Sequence, residues 1–201
     1  TTGGEGGMVL FRDRAAWQRA WEYKDHGKSL DALQQPSDGS GFRWVHGSVG
    51  TNWRLTEMQA AIGLVQLGKL DRWLARRRAN AAVWAEILGD SPALRIPQPP
   101  DGVAHAFYKF YVFLEPDALK PGTTRDDVLR ALTEAGLRAF SGSCPEIQRE
   151  AAFADLDVAP TPVAHELGET SLMFEVHPTL DPDRLRATAA MAREVIGRFE
   201  R

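Results

Sequence analysis

The sequence TTGGEGGMVLF at residues 1–11 joins a run of glycines directly to four apolar residues, Met8-Val9-Leu10-Phe11. Glycine lets a backbone adopt positive φ angles or approach another backbone or a ligand closely. A short apolar run behind such a turn predicts a buried strand over residues 8–11. The run precedes a strand and no Gly-Lys-Ser/Thr follows it, so neither a dinucleotide fingerprint nor a P-loop is indicated. We expect the turn to border a functional site, and a tight structural turn is the alternative.

Length and composition restrict the class of protein. The chain has 201 residues, 43% of them hydrophobic, which is enough for one large or two small domains with a real core. The net charge of −3 provides no general attraction to nucleic acid. Cys144 is the single cysteine, which fits a reducing compartment. No secretion signal or long apolar run is visible, so we expect a cytoplasmic protein with no membrane or nucleic-acid partner.

A short helix and a long loop follow the apolar run. Residues 13–24 predict a helix that carries Trp17 and Trp21 on one face. Residues 25–41 are polar and rich in Gly, Ser and Asp, which predicts a surface loop of a length that is usually functional or disordered.

The next helix has a clear start. Residues 56–59, TEMQ, match a capping box, in which the Thr hydroxyl and the Gln side chain satisfy each other's backbone donors. Apolar residues continue at mostly helical spacing, so we expect the helix to run to about Leu88 and to stop at Gly89. Gly63 and Gly68 lie inside this stretch and predict close packing against another backbone.

The remainder of the chain alternates between strand and helix signals. The predicted strands cover residues 107–114, 137–140 and 172–176, and the predicted helices cover residues 124–136 and 182–199. We therefore assign residues 56–201 to an α/β or α+β domain with helices on a small sheet. Residues 1–55 look like the end of a different domain.

The segment GTNWR, residues 50–54, directly precedes the capped helix. The N-terminus of a helix favours an anion, and Asn52 and Arg54 lie close to it in sequence, which predicts a phosphate site. The alternative is an ordinary N-terminal turn in which Arg54 pairs with a surface acid.

Other polar candidates are weaker when taken alone. His26 lies in the predicted loop between Asp25 and Lys28, where it is placed to meet an anionic ligand or is simply solvated. Lys109 lies within a predicted strand and faces either a ligand or the other side of the pleat. None of the five histidines forms an i, i+4 pair on a predicted helix, and Cys144 has no cysteine neighbour, so no metal site is predicted.

Six stretches, in this order along the chain, resemble the DegT/DnrJ/EryC1/StrS family of sugar aminotransferases. Members of this family are pyridoxal-phosphate (PLP) enzymes of aspartate aminotransferase fold type I. The segment TTGGEGG has an extra glycine, and in this it resembles the lipopolysaccharide and O-antigen branch of the family. The resembling stretches are TTGGEGGMV (1–9), YKDHGKS (23–29), GTNWRLTEMQAAIGLVQLGKLDRW (50–73), HAFYKFYVFL (105–114), GSCPEIQREAAF (142–153) and PVAHELGETSLMFEVHPTL (162–180).

The resemblance implies an α/β fold: the C-terminal small domain of a fold type I PLP-dependent transferase, together with the tail end of the large domain. In the family, the lysine that forms a Schiff base with the cofactor lies just upstream of the segment that matches Thr1. The resemblance therefore implies that this chain carries no catalytic residue and is inactive alone.

The resemblance also implies roles for individual residues. Asn52 matches the family asparagine that reaches across a homodimer to the cofactor phosphate of the other subunit, and Arg54 matches the adjacent basic position. His26 and Lys28 lie in the segment near the neighbouring active site, where a nucleotide diphosphate needs positive charge. The remaining implied nucleotide-sugar contacts are His105 and Lys109.

The implied chemistry is transamination by the full-length protein. An amino donor, glutamate in this interpretation, converts PLP to pyridoxamine 5′-phosphate, which then aminates a keto group on a nucleotide-linked deoxysugar. Two alternatives stay open at this point. One is a dehydratase of the same fold that removes a sugar hydroxyl, and the other is a non-catalytic dimerisation fragment.

Overall fold

A computed structural model describes residues 3–37 and 39–201 of the chain. The chain divides into two compact units, Thr1–Leu70 and Asp71–Arg201. The first two residues of the predicted turn lie outside the described residues. The division after Leu70 places the capped helix with the first unit, whereas the boundary predicted from the sequence lies after residue 55.

Three helices lie entirely within the described residues of the first unit. Helix α1 covers Arg14–Lys24 as predicted, and the Asp13 carboxylate caps it by accepting from the Ala15 amide. The predicted loop contains a short helix, α2 (Leu30–Gln34), with Ser29 as its N-cap. Helix α3 (Glu57–Leu67) begins at the predicted capping box, in which Thr56 and Gln59 bond to each other's backbone amides. Local capping chemistry therefore fixes the start of each helix.

The glycine run packs against the start of α3. The Gln59 side-chain amide donates to the Glu5 carbonyl oxygen at 2.8 Å. A Cβ atom on Gly3 would lie 3.1 Å from the Gln59 carbonyl oxygen, and Gly4 has a φ of +92°. The predicted positive φ angles and close backbone approach are therefore both present in this segment.

The strand predicted over residues 8–11 is wrong for this chain. The segment has no regular secondary structure, and Met8, Val9 and Leu10 are 84%, 72% and 87% exposed. A strand needs a neighbour to accept and donate its ladder hydrogen bonds, and no described residue pairs with this segment. Trp17 and Trp21 of α1 are half-buried.

The second unit is built on a four-stranded sheet. Its strands are β1 (Leu94–Arg95), β2 (Phe110–Leu114), β3 (Ala139–Phe140) and β4 (Ser171–Phe174). They lie in the order β1-β2-β4-β3, and each neighbouring pair is antiparallel. In the central pair Phe110 lies opposite Phe174 and Val112 lies opposite Leu172. Their alternate side chains point to one face, as the period of a strand requires.

Helices α4 (Leu70–Leu88), α5 (Arg125–Glu134), α6 (Pro162–Thr170) and α7 (Pro182–Gly197) surround this sheet. The Trp84 ring of α4 stacks on Phe174 with ring centroids 4.3 Å apart, and its Nε1 donates to the Glu175 carbonyl oxygen. Leu132 of α5 and Ile196 of α7 are fully buried in the same core. The predicted domain of helices on a small sheet is therefore confirmed.

Three details of the prediction differ from the structure. The long helix expected from residue 56 to Leu88 is broken: Gly68 is the C-cap of α3 and α4 begins at Leu70. The close packing expected at Gly63 is not seen, because an added Cβ there meets no described atom within 4 Å. Helix α6 and strand β1 were not predicted, since the first is short and the second has only two residues in a proline-rich stretch.

A loop of the second unit is attached to α6 through Glu146. The Glu146 Oε2 atom lies 2.9 Å from His165 Nδ1 and 3.0 Å from an Arg149 Nη1 atom. The hydrogen bond from His165, followed by that from Arg149, holds the pKa of the Glu146 carboxyl below its usual range. Because both partners favour the charged carboxylate, this attachment depends on Glu146 being ionised.

We expect Glu146→Gln to make the melting temperature less dependent on pH in the acidic range. A carboxyl whose pKa is lowered by folding stabilises the protein above its unfolded pKa, and that stabilisation disappears as the pH falls through the folded pKa. The melting temperature of the wild type should therefore fall below about pH 4.5, and that of the variant should fall less over the same pH range. Thermal melts between roughly pH 3 and 6 measure the difference. Glu134→Gln, the same change at an exposed position of α5, is the control, and parallel profiles for wild type and Glu146→Gln would contradict the prediction.

Candidate functional site

Two segments of the first unit pair through their backbones and form a platform, residues 22–29 and 45–54. The His26 amide donates to the Thr51 carbonyl oxygen, and the Thr51 amide donates to the Tyr23 carbonyl oxygen. Isolated antiparallel bridges join Asp25 to Asn52 and Lys28 to His46. The platform therefore brings together residues that are 18 (Lys28 and His46) and 27 (Asp25 and Asn52) positions apart in sequence.

The close approach of the two segments depends on Gly27 and Gly50. Gly27 has a φ of +77°, and a Cβ atom on it would lie 1.8 Å from the Ser48 carbonyl oxygen. A Cβ atom on Gly50 would lie 2.1 Å from the Gly27 backbone nitrogen. Both contacts are far below van der Waals distance, so only glycine is compatible with this geometry.

A charged cluster lies on the platform and is centred on Asp25. The Asp25 residue is only 5% exposed, and its Oδ1 atom lies 3.6 Å from an Arg54 Nη1 atom and 3.7 Å from Lys28 Nζ. The two cations come from different segments of the platform. The cluster formed by Asp25, Lys28 and Arg54 carries a net positive charge, and the Arg54 side chain is 58% exposed. Such a cluster favours an anionic ligand.

The predicted residues of the first unit therefore lie together on one platform. His26, Lys28, Asn52 and Arg54 all belong to the paired segments, and the side chains of His26 and Asn52 are exposed. The platform, rather than the start of α3, positions Asn52 and Arg54. At the start of α3 the capping box already satisfies the backbone amides of Thr56 and Gln59.

His105 and Lys109 lie in the second unit, in the segment that leads into β2. Two arginines of α4 hold this segment: Arg77 donates to the Phe107 and Tyr108 carbonyl oxygens, and Arg78 donates to that of His105. The His105 Nδ1 atom accepts from the Phe107 amide at 3.0 Å, which leaves its other ring nitrogen available. The Lys109 side chain is half-buried near the Tyr108 and Phe140 rings.

Backbone strain marks both predicted substrate segments. Within residues 3–37 and 39–201, His26 and Phe107 are the two non-glycine residues with positive φ, at 65° and 46°. Left-handed backbone is uncommon for residues other than glycine, more so for Phe than for His, and it persists where the surrounding structure imposes it, often at functional sites. His26 is held by the pairing to Thr51, and Phe107 by Arg77 and His105.

The sequence did not identify Asp25 as part of the site. Asp25 looks like an ordinary loop acid, and its burial results from the pairing of two distant segments. His46, opposite Lys28, was also not singled out. The glycines at 27 and 50, within the stretches DHGKS and SVGTN, were the only local signal that two backbones meet here.

Residues 1–192 match the DegT/DnrJ/EryC1/StrS aminotransferase family. The chain belongs to this family. The match covers both units and includes the platform and the segment before β2. The fold type I architecture and the PLP dependence that the sequence implied are properties of this family.

Two curated relatives give more detail about the family. The chain is 31% identical over 179 residues to the erythromycin biosynthesis sensory transduction protein EryC1 of Saccharopolyspora erythraea, covering 88% of this chain and 43% of the relative. It is 29% identical over 190 residues to a dTDP-4-dehydro-2,3,6-trideoxy-D-glucose 4-aminotransferase of Saccharopolyspora spinosa, covering 92% and 47%. The chain thus spans about half the length of these relatives.

Solved structures agree with this assignment. The crystal structure of an aminotransferase from Psychrobacter cryohalolentis is 41% identical, with a TM-score of 0.89 over 99% of this chain and 53% of the other. A GDP-4-keto-6-deoxymannose-3-dehydratase is 22% identical, with a TM-score of 0.74 over 91% and 48%, and this similarity concerns the fold alone. Among the described residues, no helix combines the length and apolar composition that crossing a membrane requires.

Proposed function

We propose that this chain is the C-terminal half of a PLP-dependent aminotransferase that aminates a keto group on a nucleotide-linked deoxysugar. The observation that carries the proposal is the platform of the first unit, where Asn52 lies beside a cluster of net positive charge made by Asp25, Lys28 and Arg54. This cluster lies within the stretches that resemble the family's cofactor and substrate segments.

The donor set of the platform fits a phosphate group. The Asn52 amide offers two N–H donors, and the Arg54 guanidinium offers a planar fork that matches phosphate oxygens. Both side chains are exposed on the platform. We propose that Asn52 binds the cofactor phosphate of the other subunit in a homodimer with shared active sites, and that Arg54 supports it.

Lys28 and His26 are the proposed contacts to the diphosphate of the substrate. The Lys28 ammonium group supplies positive charge for a nucleotide diphosphate, and the exposed His26 ring offers a hydrogen-bond donor to its phosphate oxygens. His105 and Lys109 of the second unit are the other proposed substrate contacts. The α4 arginines hold the backbone of this segment at His105, Phe107 and Tyr108. The strained backbone at His26 and Phe107 supports a functional role for both segments.

When bound, the cofactor acts as an electron sink for exchanging an amino group between the donor and the sugar. In the proposal, the lysine that moves protons in this exchange lies upstream of Thr1, so residues 1–201 contribute binding and orientation. We also propose that glutamate is the amino donor and that the product is a lipopolysaccharide or O-antigen sugar. The proposed location is the cytoplasm. These proposals rest on the family resemblance and on the single cysteine, Cys144.

The proposal is tested by binding of pyridoxamine 5′-phosphate to the full-length protein. We expect Asn52→Ala to weaken this binding about tenfold to a hundredfold, because a hydrogen bond to a charged group contributes roughly 1.5–3 kcal/mol. Gln34→Ala, which removes an exposed amide from α2 in the same unit, is the control and should bind like the wild type. Full-length wild type that does not bind the cofactor would contradict the proposal.

Product analysis tests the reaction itself. With glutamate and a nucleotide-linked ketosugar, the full-length protein should yield 2-oxoglutarate and an aminosugar, identified by mass. Loss of the sugar hydroxyl without retention of nitrogen would indicate the dehydratase instead. The isolated chain of 201 residues should give no turnover, because the proposal places the catalytic lysine outside it.

A further inference from the structure

We propose that Asp25 is a positioning residue that holds Lys28 and Arg54 together as one anion-binding unit. The inference rests on the proposed function, because it takes the phosphate groups of cofactor and substrate as the ligands of these cations. It adds to that function a residue that contacts neither ligand and acts through the two cations.

Asp25 occupies a position where a carboxylate is unfavourable. The residue is 5% exposed, and its Oδ1 atom has no hydrogen-bond partner among the described residues. Asp25 is also the C-cap of α1, where the partial negative charge of the helix end opposes a second negative charge. A buried carboxylate with an unsatisfied oxygen destabilises a fold unless nearby charges compensate it.

The compensating charges are the two cations themselves. Arg54 and Lys28 lie 3.6 Å and 3.7 Å from the same Oδ1 atom, close enough to compensate its charge but too far for a hydrogen bond. Neither cation is therefore tightly bound to Asp25, and each keeps its N–H donors for another acceptor. An acid that forms a strong bidentate ion pair would instead occupy these N–H donors.

The geometry also explains why a shared acid is needed. Lys28 follows α1 on one segment of the platform, whereas Arg54 belongs to the other segment. Two like charges on neighbouring segments repel each other, and both side chains are flexible and have exposed surface. A carboxylate buried between the segments draws both cations to one place and reduces the ordering that ligand binding requires.

The test is Asp25→Asn in the full-length protein, which keeps the shape of the side chain and removes its charge. We expect the dissociation constant for pyridoxamine 5′-phosphate to rise about fivefold to tenfold, a loss of about 1–1.4 kcal/mol. Binding of pyridoxamine, which lacks the phosphate, should not change. The melting temperature should stay the same or rise, because a buried charge without a hydrogen bond at Oδ1 has been removed.

The control is Asp31→Asn, the same change of charge at an exposed position of α2 in the same unit. It should leave the affinity for pyridoxamine 5′-phosphate unchanged. Equal or tighter binding of pyridoxamine 5′-phosphate by Asp25→Asn would overturn the inference, because it would mean that the carboxylate only repels the phosphate. Weaker binding of both ligands together with a lower melting temperature would also overturn it, in favour of a purely structural role.

A double-mutant cycle with Arg54→Met distinguishes a positioning role from a structural role if Asp25→Asn lowers stability. If Asp25 acts through the cations, its substitution should weaken phosphate binding less in the Arg54→Met background than in the wild type. Additive effects would overturn the inference. Full-length wild type that fails to bind pyridoxamine 5′-phosphate would instead reject the proposed function, and with it the ligand that this inference assumes.

Discussion

Replacing Phe174 by alanine is expected to lower the free energy of unfolding of the protein by about 3–5 kcal/mol. Phe174 lies on the central strand β4, is 1% exposed, and stacks on the Trp84 ring at a centroid distance of 4.3 Å. Its removal deletes a large apolar surface and leaves a cavity, because Phe110 opposite it is fixed by the register of the sheet. Equilibrium urea unfolding followed by near-ultraviolet circular dichroism measures the loss.

Phe153→Ala is the matched control for this prediction. Phe153 is 37% exposed and is the last residue of a short 3-10 helix, Ala151–Phe153, in the same unit, so its removal should cost under about 1 kcal/mol. A loss of similar size for both variants would mean that the contact between Trp84 and Phe174 does not dominate the core. An unchanged denaturation midpoint for Phe174→Ala would contradict the prediction directly.

Gly27→Ala is expected to damage the platform more than any substitution of its charged residues. The alanine methyl group would lie 1.8 Å from the Ser48 carbonyl oxygen, so the two paired segments would have to separate. We expect a loss of roughly 2–4 kcal/mol from the left-handed backbone and the clash together. In the proposed function, binding of pyridoxamine 5′-phosphate should fall more than tenfold, roughly 1.4 kcal/mol or more.

Gly41→Ala separates the cost of a left-handed backbone from the cost of the clash with Ser48. Gly41 has a φ of +76°, nearly the same as Gly27, but an added Cβ atom meets no described atom within 4 Å. The control should therefore show only the backbone cost of about 1–2 kcal/mol and should keep phosphate binding. Thermal unfolding and cofactor titration of both variants measure the effects, and equal losses in both assays would contradict a role for close backbone approach at Gly27.

Much of the second unit could be predicted from local sequence. The caps at Thr124 and Asp181 begin α5 and α7 as expected, since a hydroxyl or carboxylate that satisfies free amides acts within one turn. The aromatic and β-branched residues of FYKFYVFL, residues 107–114, predicted the strand that contains β2, Phe110–Leu114. The break at Gly68 was harder to predict, because apolar spacing continues across it and a glycine inside a helix is often tolerated.

The candidate site was predicted only in part. Asn52, Arg54, His26 and Lys28 were identified because their residue types suit an anion and their stretches resemble a family. Their grouping was not predictable from spacing, since residues 30–44 separate the two segments. The buried position of Asp25 was missed for the same reason, because burial of a loop acid depends on the segment that pairs with it.

The sequence by itself determined the capped starts of α3, α5 and α7, the strand rich in aromatic and β-branched residues, and the charge types available for a ligand. These features depend on neighbouring residues, which interact whatever the rest of the chain does. The tertiary structure decided which polar residues share a site and which apolar residues are covered. It placed Asp25 between Lys28 and Arg54, and it left Met8 to Leu10 with no strand partner in residues 3–37 and 39–201. The physical reason is that burial and charge clustering depend on contacts between distant segments, which local periodicity does not encode.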